Sequence, residues 1–235
     1  MLSQTQFVIF ELGATCNLGE YHKRCPNFVR MPTSLLSLTD DLILQCIEEA
    51  YTKLNFTGLV GWHYYNEPMM QHQRMFSLME QYPKARYVLW TNGTIQPDDS
   101  RINLFEQVHC TNYSGNVNIK YYNGCKSVSM FTPVFDSRLQ DTKYTIENDR
   151  LCYRQYTEFT IDNWGTAHFC CQDWRGEIEI GNLWQDTYAT LVSRRHSIIE
   201  QMRRGEYTER CRRCTEKLRR VAKFDKEIRE RTCTN

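Results

Sequence analysis

Apolar positions along the first 130 residues switch repeatedly between a strand-like and a helix-like period. Phe7–Leu12 (FVIFEL) is a short apolar run closed by Gly13 and reads as a buried strand. Asp40–Lys53 places Leu42, Ile43, Cys46, Ile47 and Ala50 at helical spacing, with Ser37 and Thr39 as candidate N-caps. Gly58–Tyr65 reads as a second strand, Gln71–Gln81 as a helix, and Tyr87–Trp90 as a third strand closed by Thr91-Asn92-Gly93. Val108–Asn112 and Val128–Thr132 give two weaker strand patterns. Strands alternating with helices predict βαβ units and a parallel sheet.

After about residue 145 the pattern changes. Glu158–Ile161 and Thr166–Cys170 flank Asp162-Asn163-Trp164-Gly165, a hairpin signal, and a helix is expected over Thr187–Arg204. Between Arg194 and Arg231 there are 14 Lys/Arg against 7 Asp/Glu. That stretch reads first as a solvated helical face with i,i+4 pairs such as Glu216–Arg220, and second as a surface for RNA or another anionic ligand.

Composition narrows the class. The chain has 235 residues, 41% hydrophobic and 24% charged, enough for one large domain or a medium and a small one. No window approaches roughly 18 uninterrupted apolar residues, so no membrane partner is expected. The first residues show no secretory pattern, and a cytoplasmic protein is expected. With a net charge of only +1, bulk charge gives no reason to expect a nucleic-acid partner.

Cysteine changes the picture. Eleven cysteines, an odd count, in a chain of this length point to metal or catalysis rather than to a disulfide framework. Cys211-Arg-Arg-Cys214 is a C-x2-C knuckle, and Cys152 and Cys170 flank the predicted hairpin. Four thiolates suit a structural zinc ion or an iron–sulfur cluster, and the 18-residue gap between Cys152 and Cys170 favours the cluster. Cys171 could replace Cys170. Cys16 and Cys25 bracket a loop just after the first strand, where α/β barrels place their chemistry, and His22 stands in an H-x2-C relation to Cys25. His22 also fits an ordinary solvated loop histidine. Cys46 falls on the apolar face of its helix and reads as core.

At this point the sequence resembles the radical S-adenosylmethionine enzymes. Cys16-Asn17-Leu18…Cys25-Pro26-Asn27 is similar to their cluster loop, His63-Tyr64-Tyr65-Asn66-Glu67-Pro68 to their Gly-Gly-Glu-Pro motif, and Thr91-Asn92-Gly93 to their Thr-Asn-Gly. The spacing of Cys152, Gly165, Cys170, Asp173, Gly181-Asn182 and Cys211/Cys214 resembles the SPASM/twitch extension of short members with one auxiliary cluster. The resemblance implies an α/β fold, a partial open (β/α) barrel over residues 1–145, followed by a small auxiliary-cluster domain over 146–235. It implies two [4Fe–4S] clusters and S-adenosylmethionine, with the cofactor at Asn66, Glu67, Pro68, Thr91, Asn92 and Gly93. The expected metal ligands are Cys16, His22 and Cys25 for the first cluster, and Cys152, Cys170, Cys211 and Cys214 for the auxiliary one.

The cluster loop departs from the family pattern. Two residues are inserted, the middle cysteine is absent, and Arg24 replaces the usual aromatic before the last cysteine. The third ligand is therefore open between His22, Glu20 and a cysteine from elsewhere such as Cys46. The implied activity is a radical oxidoreductase acting on a small polar molecule or a peptide side chain, with flavodoxin or ferredoxin as reductant. The alternatives are a metal-binding protein with a degenerate first cluster and an RNA-modifying radical enzyme.

Overall fold

The structure, a computed structural model, describes residues 5–18, 25–28, 30–113, 117–131, 157–212 and 214. Its strands are β1 (Phe7–Phe10), β2 (Leu59–Gly61), β3 (Tyr87–Thr91), β4 (Phe105–Thr111), β5 (Ser127–Phe131), β6 (Glu158–Ile161), β7 (Thr166–His168) and β8 (Gly181–Asn182). The helices are α1 (Asp40–Lys53), α2 (His72–Gln81), α3 (Tyr188–Arg203) and the single turn α4 (Glu209–Arg212). All strands join one open sheet in the order β5-β4-β3-β2-β1-β6-β7-β8. β1 to β5 pair in parallel, as the βαβ reading expects.

Side-chain alternation sorts the sheet into two faces. Val8, Phe10, Val60, Trp62, Leu89, Val108 and Cys110 share one core with Ile43, Cys46, Ile47 and Ala50 of α1 and Met75, Phe76, Leu78 and Met79 of α2. Cys46 therefore serves packing, and its burial pushes the thiol up to about 12. Phe7, Trp90 and His109 lie on the other face, with Trp90 edge-on to Phe7 at 4.9 Å and stacked on His109 at 5.1 Å. Gly61 is required there, since a Cβ on it would stand 2.8 Å from Trp90 Cζ3.

Element ends have local causes, α1 keeping the bounds that the sequence reading expects and β2 and β7 falling short of theirs. α1 starts at Asp40 because the Thr39 side chain accepts the Leu42 amide. β2 stops at Gly61 rather than Tyr65, because the next amides turn to side chains. Tyr64 N–H donates to Asn66 Oδ1 at 3.0 Å and Tyr65 N–H to Glu11 Oε1 at 3.0 Å. β7 ends at His168, and Cys170 already belongs to a turn closed by Asp173 N–H on its carbonyl. Arg74 of α2 fastens the loops over β1, donating to Leu12 O at 2.7 Å, Leu38 O at 2.6 Å and Asp40 Oδ1 at 2.6 Å.

β6 and β7 form the expected antiparallel hairpin. β6 also pairs in parallel with β1, Val8 facing Phe159 and Phe10 facing Ile161. The 145/146 boundary, Thr132, the Glu216–Arg220 pair and Cys233 lie outside the described residues, as do Glu20, His22 and Cys152. Among the described residues no helix is long and apolar enough to cross a membrane.

Phe159 is 0% exposed and joins the common core from β6. Phe159→Ala should lower the free energy of unfolding by about 3–5 kcal/mol. Chemical denaturation followed by tryptophan fluorescence should show one transition shifted as a whole. Two transitions with only one displaced would mean that β6 does not stabilise the parallel strands β1 to β5.

Candidate functional site

The chemistry-bearing residues gather where the parallel strands end. Glu67 is the nearest to a hub among the motif residues and is 2% exposed. Its Oε1 accepts Met69 N–H at 3.0 Å and the Thr91 hydroxyl at 2.7 Å, and its Oε2 accepts Asn92 N–H at 2.7 Å. Its own amide donates to Thr15 O at 2.9 Å, next to Cys16. Burial raises the Glu67 carboxyl pKa, while the donors from Asn92, Thr91 and Met69 pull against it.

The turn after β3 is tied back to the cysteine loop. Asn92 Nδ2 donates to Asn17 Oδ1 at 2.8 Å, and Asn17 Nδ2 donates to Thr94 Oγ1 at 2.8 Å. Gly93 holds φ of +71°, and a Cβ there would collide with the Cys110 sulfur and Val117. Cys16 sits against this network. Burial raises its thiol pKa, and Glu67 adds to the rise while Leu18 N–H and the Asn92 side chain oppose it. The three sequence motifs, 75 to 77 residues apart between Asn17 and Asn92 or Thr94, thus form one hydrogen-bonded unit. Asn66 caps Tyr64 N–H from the same turn, and Pro68 opens the short 3-10 turn that Glu67 caps.

A second buried carboxylate, Glu11, was not singled out in the sequence. It follows β1 and accepts Arg30 Nη2 on both oxygens at 2.8 Å, Tyr65 N–H at 3.0 Å and Asn163 N–H at 3.1 Å. An acidic residue closing an otherwise apolar strand run was the only local signal for it. Cys25, further along the cysteine loop, is half-buried and packs against Tyr64, Tyr65 and Trp174, as does Cys171.

In the C-terminal part, Cys170 keeps the company of the knuckle. Burial, then Cys171, Cys211, Asp173 and Cys214, push its thiol well above the ordinary range. Arg210, the residue before the knuckle, donates to Gln172 O at 2.7 Å and so ties α4 to the Cys170 turn. Asp173 accepts Glu177 N–H at 2.9 Å and Ile178 N–H at 3.1 Å, and burial pushes its carboxyl up to about 6. Asn182 holds the hairpin turn by donating to Trp164 O at 3.1 Å, beside Gly165 at φ +84°. A buried pair missed in the sequence, His168 Nε2 and Asp162 Oδ2 at 2.9 Å, underlies the same turn.

Among the described residues no three His, Cys, Asp or Glu side chains are close enough to hold an ion. The donor set nevertheless suits an iron–sulfur centre. Cys170, Cys211 and Cys214 are soft donors, and the neighbouring sulfurs add to the burial that raises the Cys170 thiol, a cost that a thiolate-binding cationic centre relieves.

Glu67→Gln tests the hub directly. The amide can keep one accepting oxygen, but its NH2 group must face a hydroxyl or an N–H donor. The expected loss is about 1–3 kcal/mol of stability, read by chemical denaturation of the two proteins. Equal stability would show that the carboxylate does not hold the turn after β3.

A sequence model of the SPASM iron–sulfur cluster-binding domain matches residues 152–215. No curated protein matches the sequence. The fold is similar to the crystal structure of BtrN in complex with AdoMet and 2-DOIA, with 17% identity, a TM-score of 0.66, and coverage of 90% of this chain and 93% of that one. It is also similar to selenomethionine BtrN in an open conformation, at 18% identity and a TM-score of 0.63, covering 90% and 92%. The chain has an open α/β fold similar to that of BtrN, and its residues 152–215 match the SPASM iron–sulfur cluster-binding model.

Proposed function

We propose that this chain is a radical S-adenosylmethionine oxidoreductase that removes two electrons from a small polar molecule. The observation that carries the reading is the single network joining the Cys16 loop, Glu67 and Thr91-Asn92-Gly93 at the strand ends. Cys16 and Cys25, with His22 as third ligand, would hold the first [4Fe–4S] cluster. Cys152, Cys170, Cys211 and Cys214 would hold the auxiliary one. When bound, the first cluster and S-adenosylmethionine supply a 5′-deoxyadenosyl radical for hydrogen abstraction, and the auxiliary cluster takes up the second electron.

The chain's own residues account for cofactor placement. The Glu67 carboxylate accepts three protein donors, and its remaining acceptor position with the backbone carbonyls of the 63–68 turn would receive the ligand ammonium. Glu67 acts by holding that turn against Thr91 and Asn92. The nearness of Cys170 to Cys211 and Cys214 supports Cys170 over Cys171 as the ligand, and Cys171 packs by Tyr64, Tyr65 and Trp174. The similarity to BtrN, crystallised with AdoMet and 2-DOIA, supports a polyol or aminocyclitol substrate over a peptide side chain. A flavodoxin or ferredoxin would supply the reducing electron.

The missing middle cysteine favours one competing reading, a metal-binding protein whose first cluster is degenerate. The test is anaerobic reconstitution and assay of 5′-deoxyadenosine with S-adenosylmethionine and dithionite. The proposal expects 5′-deoxyadenosine from the wild type, its loss in His22→Ala and its retention in His22→Cys. A neutral imidazole raises cluster potential relative to thiolate, so His22→Cys should also lower the potential of the first cluster. No 5′-deoxyadenosine from fully loaded wild type would favour the degenerate form. Full activity in His22→Ala would remove His22 as a ligand.

A further inference from the structure

Arg30 is five residues beyond Cys25 and its side chain is 4% exposed, paired with a Glu11 that is 0% exposed. Only Nη2 is engaged, donating to both Glu11 oxygens. Nε and Nη1 are buried and have no hydrogen-bond partner among the described residues. A buried guanidinium with two unmet N–H donors costs about 1–3 kcal/mol for each donor unless something else accepts them.

The surroundings show what accepts them. The Arg30 Cζ lies 5.1 Å from the Tyr64 ring, 5.2 Å from Tyr65 and 4.8 Å from Trp164. Three π faces around one cation offset the lost hydration through cation–π attraction and N–H contacts to the rings. Guanidinium suits such a box because it is planar and weakly hydrated, whereas a lysine ammonium holds its water.

The box is built from separate parts of the chain. Glu11 ends β1, Arg30 ends the cysteine loop, Tyr64 and Tyr65 belong to the turn that leads to Glu67, and Trp164 belongs to the β6–β7 turn inside the SPASM match. Glu11 spreads the same contact to the amides of Tyr65 and Asn163. Cys25 and Cys171 pack against the Tyr64, Tyr65 and Trp174 cluster that forms one side of this region, and the Tyr65 hydroxyl donates to the Cys171 carbonyl.

We propose that Arg30 is a positioning residue that fixes the Cys25 arm of the first-cluster loop against both the cofactor turn and the SPASM segment. This rests on the radical reading above for its catalytic meaning, though not for its mechanical content. Arg30 is assigned a positioning role and no catalytic one. It acts through Cys25 and through the turn that carries Glu67.

The test compares Arg30→Met, Arg30→Lys and Trp164→Leu in anaerobically reconstituted full-length protein. The readouts are iron content, the change that S-adenosylmethionine makes in the electron paramagnetic resonance signal of the first cluster, and hydrogen exchange. Arg30→Met and Arg30→Lys should both retain auxiliary-cluster iron and both show about tenfold weaker apparent S-adenosylmethionine affinity. Trp164→Leu keeps the ion pair and opens one wall, so it should weaken affinity in the same direction by about threefold. Wild-type affinity in Arg30→Met, or rescue by Arg30→Lys, would overturn the proposal. If Arg30→Met does not fold, Trp164→Leu decides, and unchanged affinity there overturns it. If the wild type shows no cofactor-dependent signal, the radical reading fails on its own, and exchange decides the rest. Faster exchange in peptides covering 25–31, 62–68 and 162–174 together, with α2 unchanged, supports the latch in Arg30→Met or Trp164→Leu. Exchange confined to one or two of them, or absent, refutes it.

Discussion

A carboxylate taken out of water at the end of β1 organises the strand ends around it. Glu11 is inaccessible, and a lone buried charge of this kind costs several kcal/mol. Here it is met by the Arg30 guanidinium and by two backbone amides, one from the β2 side and one from the β6 side. Each donor comes from a different part of the chain, so the charge is stable only when β1, β2, β6 and the cysteine loop are all in place. Burial raises the Glu11 carboxyl and Arg30 opposes that rise, which makes the arginine the partner the charge depends on. Breaking such a pair is generally worth about 3–5 kcal/mol.

Glu67 repeats the device one strand along. It gathers the turn after β3 and, through its own amide, the residue before Cys16. The two carboxylates are linked by the short stretch from Tyr65 to Glu67, so the turn after β2 is held from both sides. Function follows from this placement. The loop that carries Cys16 meets the Glu67 and Asn92 turns through Thr15 and Asn17. On the SPASM side, Arg210 and the Asp162–His168 pair give the Cys170 turn a comparable internal frame.

Local elements were the most legible part of the sequence. α1 begins and ends where its apolar spacing and the Thr39 cap say it should, because amphipathic period and capping are both local signals. The three motif turns could be read because each follows a strand and carries a recognisable residue string. Glu11 and Arg30 could not, since their pairing across 19 residues leaves no periodic trace and Arg30 lies in an irregular stretch. The parallel pairing of β6 with β1 spans about 150 residues and likewise has no local signature. β2 was read four residues too long because Trp62 to Tyr65 are apolar enough for a strand while their amides bond to side chains. Cys170 and Cys171 are adjacent in sequence and separable only by what each one faces.

The proposed function requires this framework to hold two iron–sulfur centres, one at the strand ends and one in the segment that matches the SPASM model. Iron and acid-labile sulfide per chain, measured after anaerobic reconstitution and desalting, test it most directly. Two [4Fe–4S] clusters predict about eight irons and eight sulfides, with Cys170→Ala or Cys211→Ala removing about four of each. About four irons in the wild type, all lost in Cys211→Ala and unaffected by Cys16→Ala, would contradict the account.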